Sequence, residues 1–103
     1  MNQPIARVKL EILLDAPLAA PVIETIEYAG AKGYTLLPAV GGSGRNGRWR
    51  EDTIVGADTK LLLMTIVSAE VANAILNSIR PWLDKYGMIV MTTQVGVSRG
   101  DRF

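Results

Sequence analysis

Neither cysteine nor histidine occurs in the 103 residues. The first absence excludes a disulfide framework, a thiol nucleophile and a zinc–thiolate site. The second removes the commonest metal ligand and the usual general base. An excess of one charge is lacking too. Eleven Lys and Arg stand against ten Asp and Glu, a formal charge of +1, which argues against a general nucleic-acid binder. No apolar run approaches membrane-spanning length, and Met1-Asn2-Gln3-Pro4 has no signal-peptide pattern. A cytoplasmic protein is expected, one that meets a membrane only through a partner. What is present, 49% apolar and 20% charged residues, fits one ordered domain over 1–103.

Arg7 to Leu14 alternates, with Val8, Leu10, Ile12 and Leu14 on one face and Arg7, Lys9 and Glu11 on the other, which predicts a strand with one face on a core. Asp15-Ala16-Pro17 supplies a turn and a helix start, with Pro21 obscuring the first helical residue. Leu18, Val22, Ile26 and Ala29 then form a helical stripe, Glu24 and Glu27 face away, and Gly30 and Gly33 close the segment. A second strand is predicted over Tyr34–Val40. From Gly41 to Ala57 no periodicity is visible, which reads as a long loop, and such loops in small domains tend to carry function. The third strand, Thr59–Val67, is apolar on both faces. Ser68 is a fitting N-cap for a helix with Ala72, Ile75, Leu76, Ile79 and Leu83 inward, and Pro81 is expected to kink it or begin a second piece. Gly87 ends that helix, and Met88–Val97 is the fourth strand. Arg99, Asp101 and Arg102 form a tail.

The order β-α-β, loop, β-α-β predicts an α+β ferredoxin-like βαββαβ sandwich, a four-stranded antiparallel sheet with two helices on one face. Two helices cover one sheet face, yet the last two strands are apolar on both or nearly so. A further subunit is therefore expected on the second face.

The stretch from Gly33 to Arg50 carries the chemistry. An apolar strand runs into Gly41-Gly42-Ser43-Gly44 and then Arg45-Asn46-Gly47-Arg48-Trp49-Arg50. Glycine lets backbone N–H groups approach an anion, and arginine offers planar charged donors for phosphate or carboxylate. The same glycines suit a plain hairpin connection, and the arginines, partly offset by Glu51 and Asp52, suit a solvated surface. Trp49 between arginines fits a protein contact, or folds back on its own domain. Lys9 and Glu11 read as inter-subunit ion pairs or as part of a polar cavity. Trp82, Tyr86, Met64, Met88 and Met91 read as packing residues.

Gly-Ala-Lys-Gly-Tyr-Thr at 30–35, Gly-Gly-Ser-Gly-Arg at 41–45 and Lys60 opening the third strand together resemble the P-II signalling family. These are trimeric sensors of ferredoxin-like fold that bind adenine nucleotides between subunits. The Ala-Lys-Gly-Tyr-Thr motif with the later Ser-Gly-Arg-Asn is nearest to the P-II-like group associated with bicarbonate transporters and carboxysomes. The resemblance implies a homotrimer. It implies that Thr35 lies near the ribose or base and that Gly41, Gly42, Ser43 and Gly44 present donors to phosphates that Arg45 contacts. Lys60 would face the nucleotide or the loop, Ile66 would read the adenine edge through its backbone, and Arg99, with Arg102, would reach the phosphates from a neighbour. The loop over about 41–57, the family's T-loop, would carry the signal through Asn46, Arg48, Trp49 and Arg50 to a target such as a bicarbonate transporter or carboxysome component.

Two departures shape the expected ligand. The family's Gly/Lys-rich segment before the last strand shrinks here to Asp84-Lys85-Tyr86-Gly87-Met88. Losing that lysine and several backbone donors weakens the hold on a γ-phosphate most. ADP or AMP is therefore favoured over ATP, with cyclic AMP a further candidate and bicarbonate a candidate co-effector. The loop is also short and lacks the tyrosine modification signature of nitrogen-regulating members, which counts against the alternative of a nitrogen-type P-II regulator. No metal and no enzymatic activity are expected, because no carboxylate pair or Ser–Lys arrangement is visible. A ferredoxin-like RNA-binding module would need aromatics on its central strands, and Leu61–Val67 has none. A copper-tolerance role lacks its His and Cys ligands.

Overall fold

Alternation at the start of the chain builds β1, Ile5–Asp15, in which Leu10, Ile12 and Leu14 are buried and the residues between them are not. The computed structural model describes residues 3–44, 47–50 and 59–103. After β1 a 3-10 turn over Ala16–Leu18 absorbs Pro17, and α1 follows at Ala19–Ala29. Pro21 therefore falls in the first turn, where its missing N–H is no loss. Gly30 ends α1 with φ 118°, a left-handed conformation that favours glycine.

β2 spans Thr35–Ala39, β3 Gly41–Gly44 and β4 Gly47–Arg50. The expectation of an aperiodic loop from Gly41 onward is thus corrected: its first ten positions contain an antiparallel hairpin pairing Gly41 with Arg50 and Gly44 with Gly47. Period-2 hydrophobicity could not reveal a strand made of Gly and Ser, which has no apolar face to alternate. Residues 51–57, and with them the rest of that predicted loop, lie outside the described residues.

β5 covers Lys60–Val67, α2 Ala69–Tyr86 and β6 Ile89–Val97. Ser68 caps α2, its side chain accepting from the Val71 N–H at 3.2 Å. α2 runs through Pro81 as one helix, so of the two expected effects the start of a second piece does not occur. Ile79 is buried just before Pro81, and Trp82 and Leu83 pack against the core just after it. That packing outweighs one lost backbone hydrogen bond.

The sheet order is β2-β5-β1-β6, antiparallel throughout, which is the ferredoxin-like arrangement. Register makes Val8, Leu10, Ile12 and Leu14 of β1 share a face with Val67, Thr65, Leu63 and Leu61 of β5. That face meets Val22 and Ile26 of α1 and Ala72, Ile75 and Ile79 of α2 in one core. Thr65, the buried polar member, donates to the Gly33 carbonyl at 2.6 Å and ties the end of the α1–β2 connection to β5.

Among the described residues no helix covers the opposite face. Leu37, Leu62, Leu13 and Ile89 form one row across all four strands there, and Thr35, Met64, Glu11 and Met91 form the next. Leu37, Ile89 and Met91 are 45%, 53% and 46% exposed. Met91 is thus no core filler, and Met64, separated from it by Glu11, is only half-buried; Met88 is the buried methionine of the three. Lys9 and Glu11 interrupt the apolar surface and pair with each other at 3.7 Å within the chain.

Candidate functional site

The end of the sheet where β1 finishes and β5 begins carries the glycine–arginine segment. Lys60 lies between Asp15 on one side and Ala39 on the other. Its Nζ donates to Asp15 Oδ1, a charge-assisted bond between two partly buried side chains. Two residues past Ala39 the chain enters β3, so Gly41 and Gly42 leave the sheet beside this pair. In the hairpin, Gly42 lies across from Trp49 and Ser43 across from Arg48. Arg45 and Asn46 join β3 to β4 and lie outside the described residues.

Thr35 and Ile66 sit further along the open face. Thr35 is exposed opposite Met64, and Ile66 is half-buried opposite Lys9. The open face therefore runs from Lys60 past Thr35 to Ile66.

Arg99 and Arg102 are elsewhere. β6 ends against the beginning of β1, with Val97 opposite Ile5. Arg99 then leads into a short 3-10 turn over Gly100–Arg102, and both arginines are exposed. β1 has eleven residues, so at ~3.3 Å per residue its two ends are roughly 33 Å apart. Within one chain Arg99 and Arg102 cannot share a small ligand with Lys60 and Gly41.

The link between α2 and β6 is tight. α2 continues to Tyr86, Gly87 adopts φ 64°, Met88 is buried, and β6 starts at Ile89. Lys85 lies 5.3 Å from the centre of the Tyr86 ring. Two residues between helix and strand leave no room for a phosphate-wrapping loop.

Sequence reasoning missed Asp15 and Arg7 as site-region residues. The first reads as a turn former and the second as one of three outward polar residues of a strand. Strand parity places both on the open face, but cross-strand register is needed to set Asp15 beside Lys60. A shallow groove of ≈ 200 Å³ between α2 and β6, lined by residues including Asn73, Thr92 and Gln94, lies on the helix side, away from these residues. Among the described residues no group of carboxylates is placed to hold a metal ion, and no helix is long and apolar enough to cross a membrane.

Comparison with known proteins agrees with this architecture. CPII of Thiomonas intermedia K12, a nitrogen regulatory PII-like protein seen bound to ADP, AMP and bicarbonate, superposes with a TM-score of 0.89 at 23% identity, over 96% of this chain and 94% of that one. A second structure of it, bound to ADP and bicarbonate, gives 0.87 at 23%, over 96% and 95%. A PII-like signalling protein of Thermus thermophilus gives 0.83 at 30% identity, over 100% of this chain and 99% of that one. Among curated protein sequences no match to the chain reaches significance. Residues 7–102 match the nitrogen regulatory protein P-II family; with that match, the sheet order and the glycine-led hairpin beyond β2 in agreement, the chain belongs to the P-II family of regulatory proteins.

Proposed function

We propose that this protein is a cytoplasmic, non-catalytic sensor whose trimer binds an adenine nucleotide in clefts between copies and signals through the 41–57 segment. The observation that carries this reading is the division of the candidate ligand residues between the two ends of β1. Lys60, Thr35 and the glycines of β3 belong to one half-site, and Arg99 and Arg102 to the other. A closed ring of copies brings the first half of each chain against the second half of its neighbour. The row Leu37, Leu62, Leu13 and Ile89 supplies apolar surface for the seam.

The glycines present backbone donors, and Arg45, Lys60 and the neighbour's Arg99 and Arg102 neutralise phosphate. Thr35 and the Ile66 backbone contact the ribose and the adenine edge. The short α2–β6 link supports ADP or AMP over ATP, because no lysine-bearing loop is available to offset the charge of a γ-phosphate. CPII, with the same fold, is seen with ADP, AMP and bicarbonate, which supports the same ligands here, bicarbonate acting as co-effector. Bound ligand favours one arrangement of the 41–57 segment over another, and that difference is read by a protein target in carbon acquisition, such as a bicarbonate transporter or a carboxysome component.

Thermal unfolding in the presence of ATP, ADP, AMP and cyclic AMP, each with and without bicarbonate or 2-oxoglutarate, tests the reading. A ligand at a hundred times its Kd stabilises by about 2.7 kcal/mol, which is easily seen for a domain of this size. ADP or AMP is expected to raise Tm more than ATP, with a further rise on adding bicarbonate. A Tm unmoved by every nucleotide, or moved most by ATP, contradicts it.

A further inference from the structure

We propose that Arg7, Gly100 and Ile5 form a dock that holds the C-terminal turn on the open face of β1, and that this dock positions Arg99 and Arg102 for the neighbouring copy's nucleotide. The inference rests on the nucleotide reading above and adds residues to which nothing so far has given a role in it.

The contacts are specific. Arg7 Nη2 donates to the Gly100 carbonyl at 2.8 Å, and Nη1 donates to the Ala6 carbonyl at 2.8 Å. The turn is closed by the Arg102 N–H on the Arg99 carbonyl at 3.0 Å and the Phe103 N–H on the Gly100 carbonyl at 3.1 Å. The Gly100 carbonyl thus accepts both from the turn itself and from a side chain of β1, 93 residues away in sequence.

Gly100 is buried although Arg99 and Asp101 on either side of it are exposed. Its φ is not in the left-handed region, so conformation does not demand glycine there. Space does. A Cβ on Gly100 would lie 2.5 Å from Ile5 Cβ, 3.0 Å from its Cγ2 and 3.1 Å from its Cδ1. The nearest of these atoms is fixed to the β1 backbone and cannot swing away. The turn therefore packs directly onto the strand, and a methyl group at 100 lifts it off.

Ile5 and Arg7 share the open face by strand parity, so the turn lies on the side of the sheet where the seam between copies is proposed. Arg7 Nε is buried with no partner among the described residues. An unpaired buried donor is destabilising, which fits a side chain held for where it places the turn rather than for the stability of one chain. Undocked, Arg99 and Arg102 would be flexible side chains on a flexible tail and would lose the entropic advantage of a preformed clamp.

The test is calorimetric titration with ADP of the intact protein and of Gly100→Ala, Arg7→Gln, Arg99→Ala, and Arg99→Ala/Arg102→Ala with and without Gly100→Ala. Ligand-free Tm and assembly mass are measured alongside. Gly100→Ala and Arg7→Gln are each expected to weaken ADP binding by about tenfold or more, as one lost charge-assisted contact does, with assembly mass unchanged. In the background lacking both arginines, Gly100→Ala is expected to cost less than about twofold further, because it acts through them. A purely structural role would give the full loss in that background too, and would overturn the proposal. So would wild-type ADP affinity in both Gly100→Ala and Arg7→Gln while Arg99→Ala binds weakly. Wild-type affinity in Arg99→Ala/Arg102→Ala would instead remove the phosphate role of the arginines themselves. Should Gly100→Ala not fold, Arg7→Gln, which creates no overlap, carries the test.

Discussion

Replacing Leu62 with glutamate is expected to leave each chain folded and to take the assembly apart. Leu62 lies in the middle of the four-residue row on the open face, between Leu13 and Leu37, and is half-buried in the single chain. In an isolated chain a glutamate there reaches solvent, so folding loses little beyond the packing of one side chain. At a seam between copies the same carboxylate would be buried without a partner, a cost of several kcal/mol at every interface. Size-exclusion chromatography with light scattering is expected to show a trimer for the parent and a single chain for Leu62→Glu. The nucleotide-induced rise in Tm is expected to vanish with it, since the proposed site draws on two copies. A Leu62→Glu protein that keeps both its trimer and its nucleotide response would show that the open face is not the seam.

Ile12→Ala is expected to do the reverse. Ile12 is fully buried on the helix side of the sheet, between Leu63 and Val90. Its truncation removes apolar surface from the core and leaves a cavity, for a typical cost of about 2–5 kcal/mol. For a domain near one hundred residues, about 3 kcal/mol lowers Tm by roughly 12–20 °C. Thermal unfolding by circular dichroism reads that loss, and assembly mass below the transition is expected to stay that of the parent. A fall of only a few degrees would mean the core closes over the gap. The contrast between the two variants separates the face that folds the chain from the face that joins copies.

The fold was legible because its elements obey simple periods. Leu10, Ile12 and Leu14 alternate, and Ala72, Ile75 and Ile79 recur at helical spacing, so their burial followed, while Val8 at the edge of the core is only partly buried. The end signals held as well, with Ser68 as cap and Gly30 and Gly87 as left-handed stops. Sequence reasoning failed where period carries no information. β3 is built of glycine and serine alone, and whether Pro81 breaks α2 depends on packing around it that no local rule contains.

The candidate site was legible only in composition. Glycines before arginines suggest an anion site or a plain hairpin connection, but nothing in the spacing of Lys60 and Arg99 says that they end about 33 Å apart along β1. That distance depends on strand register, which pairs Asp15 with Lys60 and Ile5 with Val97. Arg7 and Gly100 were hidden for the same reason. One is an ordinary outward residue of an alternating strand and the other a glycine in a tail, and their contact spans nearly the whole chain.

A nucleotide site shared by two copies is tested most directly by complementation. Lys60→Ala and Arg99→Ala damage opposite halves, and each homogeneous assembly is expected to bind ADP weakly. Co-expressed with separate affinity tags and purified through both, the mixed assembly is expected to regain ADP binding at parental affinity in one cleft, where an intact Lys60 half meets an intact Arg99 half. A mixed assembly that binds ADP no better than either parent variant would contradict a site divided between copies.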